Sequence, residues 1–225
     1  MHEIVPDLYL LRGLPPYAIN VYLMGDVLLD AATRYAGARI LRQLRGRNVS
    51  AHALTHVHAD HQGASAQVCR TLNLPLWCSA TEAAAMEQGD LSKQHPHNWI
   101  TRLQERWWAG PGHTVARPLR DGDVVGGFTV IETPGHSPGH LAYWRERDRT
   151  LVLGDVLVNL NFATGQPRLG EPPRRFTLNA AQNRASARKL AALQPKVVCF
   201  GHGPPVYDGS QVIAFIERLT TAGES

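Results

Sequence analysis

The chain has 225 residues, 44% of them apolar, and a net charge of +4, which fits one large domain or two small ones with a sizeable core. No run approaches the roughly 18 uninterrupted apolar residues of a membrane span, and MHEIVPDLYLL lacks a secretory pattern, so a cytoplasmic protein with no membrane role is expected. Cys69, Cys78 and Cys199 are odd in number and show no CxxC spacing, which excludes a disulfide framework and a zinc knuckle.

In chain order, VYLM and VLLD (21–24 and 27–30) read as strands joined at Gly25-Asp26, a two-residue hairpin signal. Thr33 is placed to cap a helix running to about Arg45 and ended by Gly46, with Ile40, Leu41 and Leu44 as its apolar stripe. Arg39, Arg42 and Arg45 lie at helical spacing and read as a solvated face. AHALT (51–55) reads as a buried strand. A helix from about Gln62 to Leu72, a strand PLWC (75–78) and a helix opened by a Ser79/Glu82 capping-box pair follow. Residues 88–114, polar with Pro, Gly and three Trp, read as a partly helical excursion over the surface. FTVIET (128–133), HLAYW (140–144) and TLVLG (150–154) read as strands, and 159–176 as a looser stretch. A helix over 179–193, a strand KVVCF (196–200) and an amphipathic helix over 210–219 complete the chain. A second β-plus-α block begins near Val115 with no linker before it, so residues 1–225 read as a single domain of two similar layers.

The stretch THVHADH carries three histidines and an aspartate within six positions, His56 to His61. Residues i and i+2 of an extended segment share a side. If the strand persists past AHALT, His56 and His58 point one way. The turn into the next helix then re-aims Asp60 and His61, so the order suggests two neighbouring metal sites. A zinc site takes three or four protein ligands, so others must come from elsewhere. His136 in ETPGHSPGH, Asp155 in LVLGD and His202 in CFGHGPP each follow a buried apolar strand, where α/β active sites form.

THVHADH, TPGHSPGH, GD and GHG, in that order between VLLDAAT (27–33) and GHGPP (201–205), resemble the metallo-β-lactamase superfamily. The resemblance implies an α+β fold, a four-layer αββα sandwich of two mixed β-sheets flanked by helices. It implies that His56, His58 and His136 hold one metal ion, that Asp60, His61 and His202 hold a second, and that Asp155 bridges both. The ions implied are two divalent metals, zinc first, with manganese or iron(II) as alternatives. Asp30, in VLLD, matches a family aspartate near the site and is expected to orient the ligand loop. His140 fills no ligand role in the family, and His2, His52, His95, His97 and His113 read as surface or structural.

A zinc ion lowers the pKa of its water toward ~7. The expected activity is therefore a dinuclear metal-dependent hydrolase, in which a metal-bridging hydroxide attacks an ester, thioester or lactone carbonyl. Asp60 and Asp155 are the expected catalytic carboxylates, Asp60 orienting the nucleophile and moving its proton. The chain is similar to compact hydrolases related to the hydroxyacylglutathione hydrolases (glyoxalase II), thioesterases of which many carry a C-terminal helical region that binds glutathione. Only 23 residues follow His202, too few for that region. Within the same family, a phosphodiesterase or a β-lactam hydrolase is an alternative. So is a mononuclear iron persulfide dioxygenase using His56, His136 and Asp155. The partner expected is a small molecule, anionic by the basic balance. Without a dense Lys/Arg run, nucleic acid is not. Specificity is expected from residues 88–114 and 157–176, with Trp107, Trp108, Phe162 and Arg174 as candidate substrate contacts.

Overall fold

In the computed structural model, which describes residues 1–221, the amino-terminal half builds a seven-stranded sheet. β1 (His2–Val5), β2 (Leu8–Leu10), β3 (Tyr22–Met24) and β4 (Val27–Leu29) pair antiparallel in sequence order. β5 (Ala51–Ala53), β6 (Leu76–Ser79) and β7 (Val115–Leu119) then add in parallel. Parallel neighbours need crossovers, and helices supply them. α1 (Gly37–Gln43) joins β4 to β5, α2 (Ala59–Gln62) and α3 (Ser65–Leu72) join β5 to β6, and α4 (Ala83–Gln88) and α5 (Trp99–Trp108) join β6 to β7.

The second sheet starts with β8 (Val124–Val125), β9 (Phe128–Glu132), β10 (Leu141–Arg145) and β11 (Thr150–Val152), each antiparallel to the next. β12 (Val158–Asn159) and β13 (Leu169–Gly170) form a separate two-stranded ribbon. After α6 (Ala180–Ala191), β14 (Val197–Cys199) returns parallel to β11, and α7 (Ser210–Thr221) follows. Both large sheets are therefore mixed.

Successive side chains of a strand point to opposite faces, and here both faces are covered. In β4, Val27 and Leu29 enter the layer between the sheets while Leu28 packs outward beneath the helices. In β10, Leu141 and Tyr143 face inward while Ala142 and Trp144 join the layer under α6 and α7. That double burial explains why these strands read as continuous apolar runs rather than alternating ones. Three apolar layers thus separate four layers of structure, the αββα sandwich expected from the resemblance. Each fully buried Leu or Phe contributes about 1.5–3 kcal/mol.

Several local expectations differ from what forms. Thr33 makes no capping hydrogen bond; it precedes a 3-10 turn at Arg34–Ala36, and α1 starts only at Gly37. The helix expected from Gln62 begins at Ala59 and breaks at Gly63. A side chain at Gly63 would collide with the backbone of Arg34 and Trp108, so two loops close directly on this point. The strand near Val115 does not open the second layer. It is β7, parallel to β6 in the first sheet, because the α4–α5 excursion is a crossover rather than a surface decoration. The paired Ser79 and Glu82 are not a reciprocal cap. Ser79 Oγ accepts from Glu82 N–H at 3.2 Å, but the Glu82 carboxylate turns elsewhere.

His52, read as surface or structural, is a fully buried tie between layers. Its Nδ1 donates to the Leu28 carbonyl at 3.1 Å, and its Nε2 accepts from Ser65 Oγ at 2.8 Å, joining β4, β5 and α3. Burial lowers its pKa from 6.5 to about 4. The unfolded chain takes up this proton more readily than the folded one, so stability is complete above about pH 6.5 and is lost as the pH falls toward 4. We expect the metal-free protein to lose about 3 kcal/mol across that window through His52. Urea unfolding at pH 7, 5.5 and 4 should show a loss smaller by that amount in His52→Gln, and equal losses would refute the assignment.

Candidate metal centre

Four strand ends deliver the chemistry to one place. The chain leaves β5 extended, with His58 at φ −98° and ψ 159°, and enters α2 at Ala59. The loops after β9, β11 and β14 add His136, Asp155 and His202. Three overlapping groups result, each with ligand atoms within 4.8 Å of one another: His56, His58 and His136; His56, His61 and Asp155; and Asp60, His61 and His202. His136 Nε2 lies 3.1 Å from His58 Nδ1. Asp155 Oδ2 stands among the rest, 3.5 Å from His136 Nε2, 3.6 Å from His61 Nε2 and 3.2 Å from His202 Nε2. Asp60 Oδ2 is 3.4 Å from His202 Nε2. The structure thus brings together all seven side chains named from the sequence.

Each imidazole is held by its outer nitrogen. His58 Nε2 donates to the Gln94 carbonyl at 2.8 Å, and His202 Nδ1 donates to the Ala18 carbonyl. His136 Nδ1 meets Thr177 Oγ1 at 3.3 Å. Asp30 carries the densest part. It accepts from Thr55 N–H and Thr55 Oγ1, both at 2.8 Å, and from His61 Nδ1 at 2.9 Å. Thr55 Oγ1 in turn accepts from His56 Nδ1 at 3.0 Å. One buried carboxylate therefore orients two rings at once, and the nitrogen facing inward is the unprotonated one in a neutral ring.

Burial, reinforced by the neighbouring rings, holds His56 and His136 well below the usual histidine range and His58 at about 4. Burial opposes the charge on His61 and His202 too, but the surrounding carboxylates together outweigh it, Asp155, Asp30 and Asp60 for His61 and Asp155 and Asp60 for His202. His61 is held well above its usual range and His202 is pushed up to about 10. Burial likewise opposes ionisation of Asp60 and Asp155, yet His61 and His202 keep both well below the carboxylate range. Neutral imidazoles beside ionised carboxylates make the donor set of a divalent cation, whose binding would displace the His61 and His202 protons. His56 Nε2, His61 Nε2 and Asp155 Oδ1 are buried without a hydrogen-bond partner. Stranding such atoms costs about 1–3 kcal/mol each, which a coordinated ion would relieve. The residues fit a metal.

Two supporting residues escaped the sequence reading. Glu82, fully buried, accepts from Val57 N–H at 2.7 Å, Ser137 Oγ at 2.5 Å and Gly139 N–H at 2.8 Å. It clamps the His56–His58 loop to the loop bearing His136, and burial raises its pKa. Its spacing from Ser79 looked like a local cap, and nothing in the sequence pairs it with residues 57, 137 and 139. His140 Nδ1 donates to Thr133 Oγ1, 2.8 Å away, and its Nε2 accepts from the Asp155 N–H, 3.0 Å away, so it positions the central aspartate. Gly201 is required beside it, because a Cβ there would strike Asp155 Oδ1.

The cluster forms the floor of a cleft of about 1110 Å³, lined by His58, Asp60, His136, Asp155 and His202 below and by Leu14, Tyr17, Tyr35, Arg39, Trp108, Phe162 and Arg175 among its walls. The Phe162 ring lies 5.3 Å from that of His202. Trp107 and Arg174 do not line the cleft; their neighbours Trp108 and Arg175 do. Successive helix residues point about 100° apart. Thr101, Gln104 and Trp108 of α5 turn inward, which leaves Trp99, Leu103 and Trp107 exposed. His95 is buried in the cleft wall, its ring 5.5 Å from that of His58 and its Nε2 3.0 Å from Glu105 Oε1, whereas His97 is exposed. No helix among the described residues is long and apolar enough to cross a membrane.

Residues 14–202 match the Metallo-beta-lactamase superfamily. The chain is 29% identical to the probable metallo-hydrolase YybB of Bacillus subtilis over 174 residues, 77% of this chain and 73% of the relative. It is 29% identical over 157 residues to a hydroxyacylglutathione hydrolase of Bdellovibrio bacteriovorus, 68% of this chain but 48% of that protein. Among solved structures, TTHA1623 in a di-iron-bound form superposes with a TM-score of 0.61 at 28% identity, covering 92% of this chain and 93% of that one.

Glu82→Ala leaves three buried donors without an acceptor and should destabilise the fold by roughly 3 kcal/mol or more. Glu82→Gln, which keeps one acceptor oxygen, should lose less. Denaturant unfolding measures both, together with bound metal per chain. An alanine variant as stable and as metal-rich as the parent would remove the clamp role.

Proposed function

Because the chain belongs to the metallo-beta-lactamase superfamily, we propose that it is a dinuclear metal-dependent hydrolase acting on an ester, thioester or lactone carbonyl. The observation that carries this reading is the buried cluster of seven ligand side chains with unpartnered atoms directed into it. His56, His58 and His136 would hold one ion, Asp60, His61 and His202 the other, and Asp155 would lie between them. When bound, two divalent ions acidify a water toward ~7 and polarise the carbonyl.

The chain's own residues supply orientation, proton handling and exclusion of water. Asp30 and Thr55 lock His56 and His61, and His140 fixes the backbone of Asp155. Asp60 is the one ligand side chain that is partly exposed to the cleft. Its carboxylate is therefore the one open to the cleft, where it would orient the attacking water and accept its proton, while Asp155 holds the centre of the site. Phe162, Trp108 and Tyr17 give the cleft apolar walls that keep bulk water from the reacting carbonyl. The complete second group, Asp60, His61 and His202, favours this reading over a mononuclear iron dioxygenase built on His56, His136 and Asp155 alone.

The imidazole and carboxylate donors suit zinc first, and manganese or iron as well. The similarity to a protein solved in a di-iron-bound form keeps iron open. The likeness to hydroxyacylglutathione hydrolases supports thioesters, although the chain spans about half the length of the Bdellovibrio protein. Cys69, Cys78 and Cys199 are buried and unpaired, which fits a reducing, cytoplasmic location.

Chelation should abolish turnover on a panel of esters, thioesters and lactones, and zinc should restore it. Asp60→Asn should lower kcat by about 10²- to 10⁴-fold with a much smaller change in KM. A His56→Ala, His58→Ala double variant that keeps full turnover would sink the reading.

A further inference from the structure

Arg39, Arg42 and Arg45 share a helical spacing but not a fate. Arg42 and Arg45 are exposed, whereas Arg39 is half-buried and lines the cleft beside Tyr35. Its backbone carbonyl accepts from Gln43 Nε2 at 3.4 Å, but its guanidinium has no hydrogen bond, ion pair or ring contact among the described residues. Four other arginines are paired: Arg145 with Asp148, Arg184 with Glu171, Arg117 with Asp123, and Arg34 with the Arg106 carbonyl. Arg175, the second cation of the cleft, is exposed, and its guanidinium lies 5.2 Å from the Phe176 ring centre. Partial burial of Arg39 without a counter-ion disfavours its charge, and its pKa is lowered by that burial. An anion placed against it would recover the lost solvation with bidentate hydrogen bonds.

The cleft offers no internal competitor. Its acidic residues are Asp60 and Asp155, both at the metal cluster. Its volume of about 1110 Å³ exceeds what a small carbonyl compound fills. Tyr17, Ile19, Tyr35 and Phe162 line the same cleft and present apolar surface. We propose that Arg39 is a binding subsite for an anionic group, a carboxylate or phosphate, carried by the substrate and separated from its scissile carbonyl by an apolar segment lying against those walls. The subsite rests on the hydrolase reading for the meaning of its ligand, but not for its ability to bind an anion.

The test has a catalytic and a binding arm. The catalytic arm compares kcat/KM for S-phenyl thiohexanoate with that for analogues carrying a terminal carboxylate or a terminal phosphate. The wild type should prefer at least one anionic analogue, and the analogue it prefers identifies the group. Arg39→Met should cut that preference by about tenfold or more, with metal content unchanged, and Arg39→Lys should restore part of it. The binding arm titrates metal-free protein with hexanoate and with neutral hexanamide in a calorimeter. The ratio of their affinities should fall about tenfold in Arg39→Met. If the substitution prevents folding, the wild-type preference itself must weaken when ionic strength rises from about 0.05 to about 0.5 M. Ratios that do not change in either arm overturn the subsite. Wild-type protein that cleaves no thioester, ester or lactone overturns the hydrolase reading instead and leaves the binding arm to decide Arg39.

Discussion

Five imidazoles can share a few ångströms of buried space only if none of them can turn. A ring free to rotate would present N–H groups to its neighbours, and the donors would face one another across a dry gap. The structure prevents this from behind. His58, His136 and His202 are tethered to Gln94, Thr177 and Ala18, and His56 and His61 are linked through Thr55 and Asp30. Every outward nitrogen has a partner, so the inward atoms are left over by design of the surroundings and not by their own preference. Two carboxylates behind the cluster, Asp30 and Glu82, add to this restraint, Asp30 by holding His61 and Thr55 and Glu82 by joining the two loops that carry His56, His58 and His136. Each is buried with three acceptor contacts, and each joins segments far apart in the chain.

The sandwich makes that restraint affordable. Strands buried on both faces cannot slide by one residue without driving apolar side chains to the wrong layer, so the strand ends are rigid platforms. β5, β9, β11 and β14 end near one edge and present their following loops to a common volume. The loops themselves need not be stable alone. The parallel pair β11–β14 sets Asp155 beside Gly201 and His202, and the bare Cα of Gly201 leaves room for the Asp155 carboxylate. The cleft above is shaped by segments that lie outside both sheets: the turn at 14–19, the Arg34–Ala36 turn, α5, and the stretch around Phe162 and Arg175. The ligand cluster and the walls of the cleft are thus built by different parts of the chain.

Much of this was legible without coordinates. The THVHADH stretch, with ligands beyond three later strands, implied a two-part metal centre because ligand spacing is a local property of extended chain and turn. The apolar runs at 27–30, 51–55, 140–144 and 150–154 placed the core strands because double burial leaves a continuous hydrophobic signature. Arg39 and Glu82 were misread for one reason. A solvated helix face and a capping box are explanations at a range of three or four residues, whereas the cleft that Arg39 lines and the donors that Glu82 accepts from are supplied by other elements. The tryptophans show the same limit: composition marked 88–114 as the specificity segment, but only the rotation of α5 decided that Trp108 faces the cleft and Trp107 faces out.

The sequence by itself determined the donor types, their order along the chain and most of the core strands, since these follow from periodicity and from residues a few positions apart, while the layered architecture was implied by the family resemblance. Tertiary structure decided what lies behind each donor and what faces the substrate. Most of those contacts join residues far apart in the chain, such as Asp30 with Thr55, 25 positions apart, and Ala18 with His202, 184 positions apart. They exist only after the two sheets have closed, when burial removes water as the alternative partner and makes each remaining hydrogen bond or unpaired charge count.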